Sequence, residues 1–334
     1  MGLNYKPSVV VRGANASIIN ERLQSWELID AAGRQSDQLT LRVLADGLSN
    51  LPTEGQIIGL ALGFDGALVD KGEFKITRVR PRIFPNVLTI IATAAPFVVK
   101  DETEFKRRKS RSWSDTTVGK IFSDVVRSHG FSPRIAPELS GVAVKHIDQT
   151  DETDMSFLTR LAKQHDAVTK PVDQLYIFAK RGQLKTISGQ TLKSVRLSLP
   201  QQNKPTSESF INAEADFPSR QAFKGVIAKY WDADKGIEVE VQQGAAPFKK
   251  IREQYESESH AREASEAELR KVTRTGVTVT LDVPGNPELV AEGLLELDGS
   301  FPGYMAGKWS IDRVVSTGTR DQGYRCRIEA TEPV

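Results

Sequence analysis

The chain has 334 residues, 39% hydrophobic and 26% charged, and its 45 basic and 43 acidic side chains leave a formal net charge of +2. Such a balance is ordinary for a soluble globular protein of two or three domains, and it argues against a dedicated nucleic-acid binder, whose domain is strongly basic. The single cysteine, Cys326, excludes an internal disulfide and a cysteine-rich zinc site.

The N-terminal MGLNYKPSVVV has neither the regions of a signal peptide nor a good myristoylation pattern, and no run approaches the ~18 apolar residues of a membrane span. The expectation is a soluble protein made in a cytoplasm, without a membrane anchor. Residues 1–105 read as β: PSVVVRG, SWELIDAAG, DQLTLRVLAD, GQIIGLALGFDG, GEFKITRVRP and VLTIIATAAP are short strand-like runs broken by Gly, Pro, Asn and Asp. KDETEFKRRKSRSW is charged and non-periodic, and reads as a boundary or exposed loop. Its basic cluster, residues 106–111, reads as solvated rather than as a phosphate site.

Residues 106–200 form a small α/β unit. Val118, Ile121, Phe122, Val125 and Val126 make one apolar stripe of a helix, with Ser114 or Asp115 as its cap and Gly130 after its end. A second helix follows Asp151, then a strand, QLYIFAKRG. LPQQNKPTSES, residues 199–209, is the best linker candidate. From 201 to 334 the β pattern resumes, interrupted by a helix at about 251–273. That helix carries Glu258/Arg262 and Glu266/Arg270 pairs and only a thin stripe of Ala261, Ala264 and Ala267, so it should be mostly solvated.

The two β regions resemble each other. GEFKITRV at 72–79 matches GKWSIDRV at 307–314; LTLRVLADGLSNLPTEG, ending at Gly55, parallels VTVTLDVPGNPELVAEG, ending at Gly293; IIATA at 90–94 parallels IEATE at 328–332. Three blocks in one order point to a duplicated β module rather than a stacked solenoid.

The stretch HIDQTDETDMSFLTRLAKQHD, residues 146–166, concentrates carboxylates and histidines and invites reading as an acid/base or metal centre. Asp151 is placed to cap the helix, Glu152 and Asp154 lie in its first turn, and Asp154 has capping-box spacing. His165 and Asp166 lie at the far end, about 20 Å away at 1.5 Å per residue, so the two ends cannot converge. The reading is a structural helix. No HExxH, GxSxG, GxxxxGK[ST], CxxC or EF-hand pattern occurs, and His129, His146, His165 and His260 share no ligand spacing. No catalytic residue, metal or cofactor is expected. Trp113, and Trp231 beside Tyr230, are read as core or interface residues rather than stacking groups for a ligand.

The stretch SRSWSDTTVGKIFSDVVRSHGF followed by VKHIDQTDETDMSFLTRLAKQHDAV resembles the phage late control gene D family, the baseplate hub proteins of contractile tails. The matching positions are Gln149, Asp151 to Asp154, Phe157, Leu158, Arg160, Leu161 and Ala162. Asp151 replaces a usual Asn and Thr153 a usual Ser, both retaining cap chemistry. GKWSIDRVVST is similar to the family's second barrel, although Val315-Ser316 stands where a histidine usually follows.

The resemblance implies a mainly β fold with an α/β insert: two related tube-type β-barrels flanking a small α/β domain, plus one surface helix in the second barrel region. It implies a homotrimeric ring whose six similar units adapt a six-fold tail tube to a three-fold spike, in a phage or a tail-like particle such as a tailocin, with kinship to type VI secretion spike proteins. Assembly in the bacterial cytoplasm and a final place in the virion baseplate follow. Implied partners are a separate central spike protein (none is fused after the second barrel), the tail tube, baseplate wedge and tape-measure proteins, with no sequence-specific nucleic acid. Structural and interface candidates are Gly72, Phe74, Ile76 and Val79 with their counterparts Gly307, Trp309, Ile311 and Val314, and the helix residues Asp151, Asp154, Phe157, Leu158 and Leu161. The competing expectations are a tail-tip cell-wall hydrolase, for which barrels and insert leave no room, and a carbohydrate- or nucleic-acid-binding barrel, disfavoured by neutral charge and few aromatics.

Overall fold

The computed structural model describes residues 7–13, 15–32, 37–48, 50–94, 107–172, 175–180, 194–218, 223–274, 277–319 and 323–333. In chain order, β1 (Pro7–Gly13) leads to α1 (Ala16–Arg22), then β2 (Leu23–Ala31), β3 (Gln38–Leu44), β4 (Ile57–Phe64), β5 (Ala67–Arg82) and β6 (Val87–Ala94). Next come β7 (Arg108–Thr117), α2 (Val118–Ser128), β8 (Ser132–Ile135), α3 (Pro137–Ser140), β9 (Ala143–Thr153), α4 (Asp154–Gln164), β10 (Ala167–Val172) and β11 (Leu175–Lys180). The remainder is β12 (Ser194–Leu197), β13 (Asn212–Asp216), β14 (Gly225–Asp232), β15 (Ile237–Gly244), β16 (Phe248–Tyr255), α5 (Glu258–Arg274), β17 (Thr278–Pro284), β18 (Leu294–Leu297), β19 (Gly307–Thr319) and β20 (Tyr324–Thr331).

These elements fall into two compact units, one drawn from 1–97, 193–214 and 279–330, the other from 98–192, 215–278 and 331–334. The sequence led instead to three consecutive segments. The differences are that the first and last β regions share one unit, that 193–200 joins it, and that the strands and helix of 215–278 group with the insert.

The first unit is one twelve-stranded sheet in the order β1-β4-β5-β6-β3-β2-β19-β20-β17-β13, with β12 on β18 and β18 on β19. Among the described residues this is an open path, not a closed cylinder. Alternation explains its core: Leu39, Leu41 and Val43 on β3, Leu88, Ile90 and Ala92 on β6, Val279, Leu281 and Val283 on β17, and Cys326, Ile328 and Ala330 on β20 are all buried.

The duplication read from sequence is present as topology. The order β4-β5-β6-β3-β2 recurs as β18-β19-β20-β17-β13. The loops entering the paired strands carry the same hydrogen bonds. Gly55 donates to the Ile76 carbonyl (2.8 Å) and Ile76 to that of Gln56 (2.8 Å); Glu292 donates to Ile311 (2.8 Å) and Ile311 to Gly293 (3.0 Å). The true counterpart of Gly55 is therefore Glu292, one residue from the Gly293 suggested by the sequence blocks. Both stand in the left-handed region, at φ 87° and 64°. Likewise Ala45 donates to Asn86 and Gly285 to Tyr324, which moves β17 two residues relative to the sequence match.

The two halves join where β2 runs antiparallel to β19, Ala31 opposite Arg313 through Ser25 opposite Thr319. Gly318 is required there: a Cβ would lie 2.6 Å from Trp26 Nε1, and Trp26 meets Tyr324 edge-on at 5.1 Å. The expected linker at 199–209 is a tied loop within this unit. The Asn203 side chain both donates to the Ile211 carbonyl (2.7 Å) and accepts from its amide (2.9 Å), and Leu199 donates to Ser300 Oγ.

The second unit holds three small sheets, β10-β11-β8, β7-β9 and β15-β14-β16. The helix expected at about 251–273 begins at Glu258, because Phe248–Tyr255 forms β16, parallel to β14. Small side chains on α5 allow close approach: Ala261 packs with Ala228 and Val241, beside Tyr230, Ile251 and Tyr255. Ser265 and Ala267 are buried as well, and the Glu258–Arg262 pair forms at 2.6 Å, while Arg270 faces Asp166 at 3.7 Å instead of Glu266. Trp231 at 48% exposure is a surface residue. Two short helices, α1 and α3, were not read from the sequence; the seven residues of α1, ASIINER, sit inside an otherwise β region, and the four of α3, PELS, stand between β8 and β9.

Candidate functional site

Residues 101–106 of the expected loop lie outside the described residues; from Arg108 the charged stretch is not a loop but the start of β7, paired antiparallel with β9. Strand alternation sends Lys109, Arg111 and Trp113 to one face, where each is half-buried. Gln149 on β9, which is buried, faces the same interior, and so does Asp154 at the start of α4, which is fully buried. His129, the C-cap of α2, completes the group.

Asp154 is the centre. One carboxylate oxygen accepts from Lys109 Nζ at 2.9 Å and from His129 Nε2 at 2.7 Å; the other accepts from Gln149 Nε2 at 2.9 Å and from Arg111. Gln149 also accepts from Arg111 Nε at 2.8 Å and donates to the Glu152 carbonyl at 2.7 Å. Burial alone would raise the Asp154 pKa, but the bonds from His129, Gln149 and Lys109 and the Arg111 charge outweigh it and hold the carboxyl well below the usual range. Beneath the charges, Trp113 stacks on Phe157 at 4.7 Å, with Arg111 over the former ring and Arg160 over the latter. Arg160 also pairs with Glu152 at 2.9 Å.

The arrangement fastens the paired strands β7 and β9 and the helices α2 and α4 to one another; its carboxylate is saturated by donors and enclosed, which suits a clamp rather than a reacting group. No group of three or more His, Cys, Asp or Glu with metal-binding geometry occurs among the described residues.

The helix reading holds, but its details change. The cap of α4 is Thr153, whose Oγ1 accepts from the Ser156 amide at 3.2 Å, because β9 continues through Asp151. Asp151 instead sits at φ 46° and accepts from Arg108 at 2.9 Å. Asp154 is not a capping-box residue but the clamp's centre. Phe157, Leu158 and Leu161 are buried as an apolar stripe should be. Similarly α2 is capped by Thr117, accepting from Lys120 at 3.2 Å, rather than by Ser114 or Asp115. Gly130 adopts φ 83° as expected, its amide bonding Arg127 and that of Phe131 bonding Val126. At the far end of α4, burial, then the charges of His260, Arg270 and Lys180, push His165 down to about 4.

Of the repeat positions, Phe74, Ile76, Trp309, Ile311 and Val314 are buried in the first unit, Val79 is half-buried, and Gly72 and Gly307 adopt φ of 91° and 138°. Sequence reasoning missed Lys109, Arg111 and His129. The signal for the first two was present as the i, i+2 spacing of Lys109, Arg111 and Trp113. His129 had none, because only the tertiary fold brings it to Asp154.

The chain belongs to the phage tail baseplate hub (GPD) family, whose model matches residues 105–322. It is 35% identical over 214 residues to the probable baseplate hub protein of Escherichia phage P2, covering 64% of this chain and 52% of that protein. The chain thus spans about half the length of the curated relatives it matches. In fold it is similar to the 43 kDa tail protein of prophage MuSo2 from Shewanella oneidensis, at 14% identity and a TM-score of 0.68 over 98% of this chain and 99% of that one. It also resembles an E. coli component of the type VI secretion system, itself described as similar to T4 tail proteins gp27 and gp5, at 11% identity and a TM-score of 0.61 over 97% and 76%. The matched region takes in the whole Asp154 clamp. No helix among the described residues is long and apolar enough to cross a membrane.

Proposed function

We propose that the chain is a non-enzymatic hub at the tip of a contractile tail, a homotrimeric ring whose two duplicated halves act as tube-type barrels around one axis. A trimer of duplicated chains offers six similar units to a six-fold tail tube and a three-fold face to the central spike. The wedge and tape-measure proteins are its further neighbours, and the virion baseplate or a tail-like particle is its mature location after assembly in the host cytoplasm. The observation that carries this reading is the strand order repeated in β4-β5-β6-β3-β2 and β18-β19-β20-β17-β13. Family membership supplies the context.

The experiment is absolute mass by light scattering, for the purified chain alone and mixed with the central spike protein of the same particle. The reading predicts a mass of three chains, either alone or on adding spike. A single-chain mass in both conditions contradicts it.

A further inference from the structure

The β2–β19 junction has a structural counterpart that the chain leaves unfilled. Ile76 corresponds to Ile311 by their shared loop bonds, and in the aligned strands Arg78 corresponds to Arg313. On β19 the segment from Arg313 to Thr319 is covered by β2. On β5 the ladder with β4 ends at Lys75, and the segment Arg78–Arg82 is bonded to β6 alone. Its other edge has no strand among the described residues. Correspondingly β13, the counterpart of β2, is the last strand of its path, with β17 on one side and nothing among the described residues on the other.

The two open edges are complementary in charge. Arg78, Arg80 and Arg82 alternate along β5 and are all exposed, while Asn212, Glu214 and Asp216 alternate on β13 and are exposed, with Ala213 and Ala215 half-buried between them. Among the described residues neither the three arginines nor Glu214 and Asp216 have an ion-pair partner within the chain. Edges of one sign repel their own kind and accept an opposite one, which guards against indiscriminate strand pairing.

We infer that β13 of one copy adds antiparallel to the Arg78–Arg82 edge of β5 in the next copy, reproducing between chains the β2–β19 junction found within each. The partner is a second copy of this chain, and the inference rests on the ring reading above, whose subunit contact it specifies. The contact is head-to-tail, the type that closes into a ring. Backbone bonds along the added strand supply affinity, and the facing arginine and carboxylate side chains supply direction and register.

The test is charge reversal on each edge. Arg78→Glu/Arg80→Glu/Arg82→Glu on one side, or Glu214→Arg/Asp216→Arg on the other, should weaken association at least about tenfold and lower the mass from three chains toward one. The two sets combined in one chain should restore it. Thermal melts by circular dichroism establish that each variant is folded. For any that is not, Arg80→Cys/Glu214→Cys treated with a short bis-maleimide supplies the second test, with a ladder up to three chains expected. Folded variants that all keep the three-chain mass, reversals that fail to rescue each other, or absence of the ladder would overturn the junction while leaving the ring intact. A wild type monomeric both alone and with spike removes the ring itself.

Discussion

At the scale of single residues, Asp154 ties strand β7, strand β9 and the end of α2 to the start of α4. Its carboxylate is enclosed and meets two cations, an imidazole and a buried amide. Removing its charge takes from Lys109 and Arg111 the carboxylate they share. Both retain some solvent access, so Asp154→Asn should cost about 3 kcal/mol, the low end for breaking a buried pair. Urea unfolding at pH 7 measures it. The pH dependence follows from the sign of the shift. Because the folded value lies below the ordinary 3.8, the wild type's advantage is complete above that value and is lost as pH falls toward the depressed folded one. The gap between wild type and Asp154→Asn should therefore narrow below about pH 4; a gap that stays constant would show that the ionised carboxylate is not its source.

At the scale of elements, the positions of the three longer helices α2, α4 and α5 were legible and their beginnings were not, while the short α1 and α3 were missed. The apolar stripes of α2 and α4 follow directly from 3.6-residue periodicity. Their caps were misplaced by two or three residues because β7 and β9 run straight into them, and a strand that continues through Ser114–Thr117 or Asp151–Thr153 leaves only its last residue free to cap. Thr117→Ala and Thr153→Ala should each lower stability by about 1 kcal/mol, read from denaturant midpoints. Ser114→Ala, at the position sequence favoured, should change it by less. The same confusion hid the start of β7, since its first five residues, RKSRS, include none of the β-branched or aromatic residues that mark strands. The turn equivalence of Gly55 with Glu292 was hidden too, because a left-handed position advertises itself only when glycine fills it.

At the scale of the molecule, the duplication was legible because alternating apolar positions and a few identities survive in both copies. What escaped was its consequence: the copies share one sheet through β2 and β19, segments that lie almost at opposite ends of the chain. Pairing of that separation leaves no local trace in sequence. The interleaving of 98–192 with 215–278 in the second unit escaped for the same reason. With family membership fixed, what is proposed for the molecule is a ring in which the duplicated halves meet through alternating junctions of one kind. Electron cryomicroscopy of the tail tip tests it most directly. The expected map shows three copies of this chain around the axis, with β2–β19 contacts inside chains alternating with β13–β5 contacts between them. A ring of another copy number, or neighbouring chains that meet through surfaces other than these sheet edges, would contradict it.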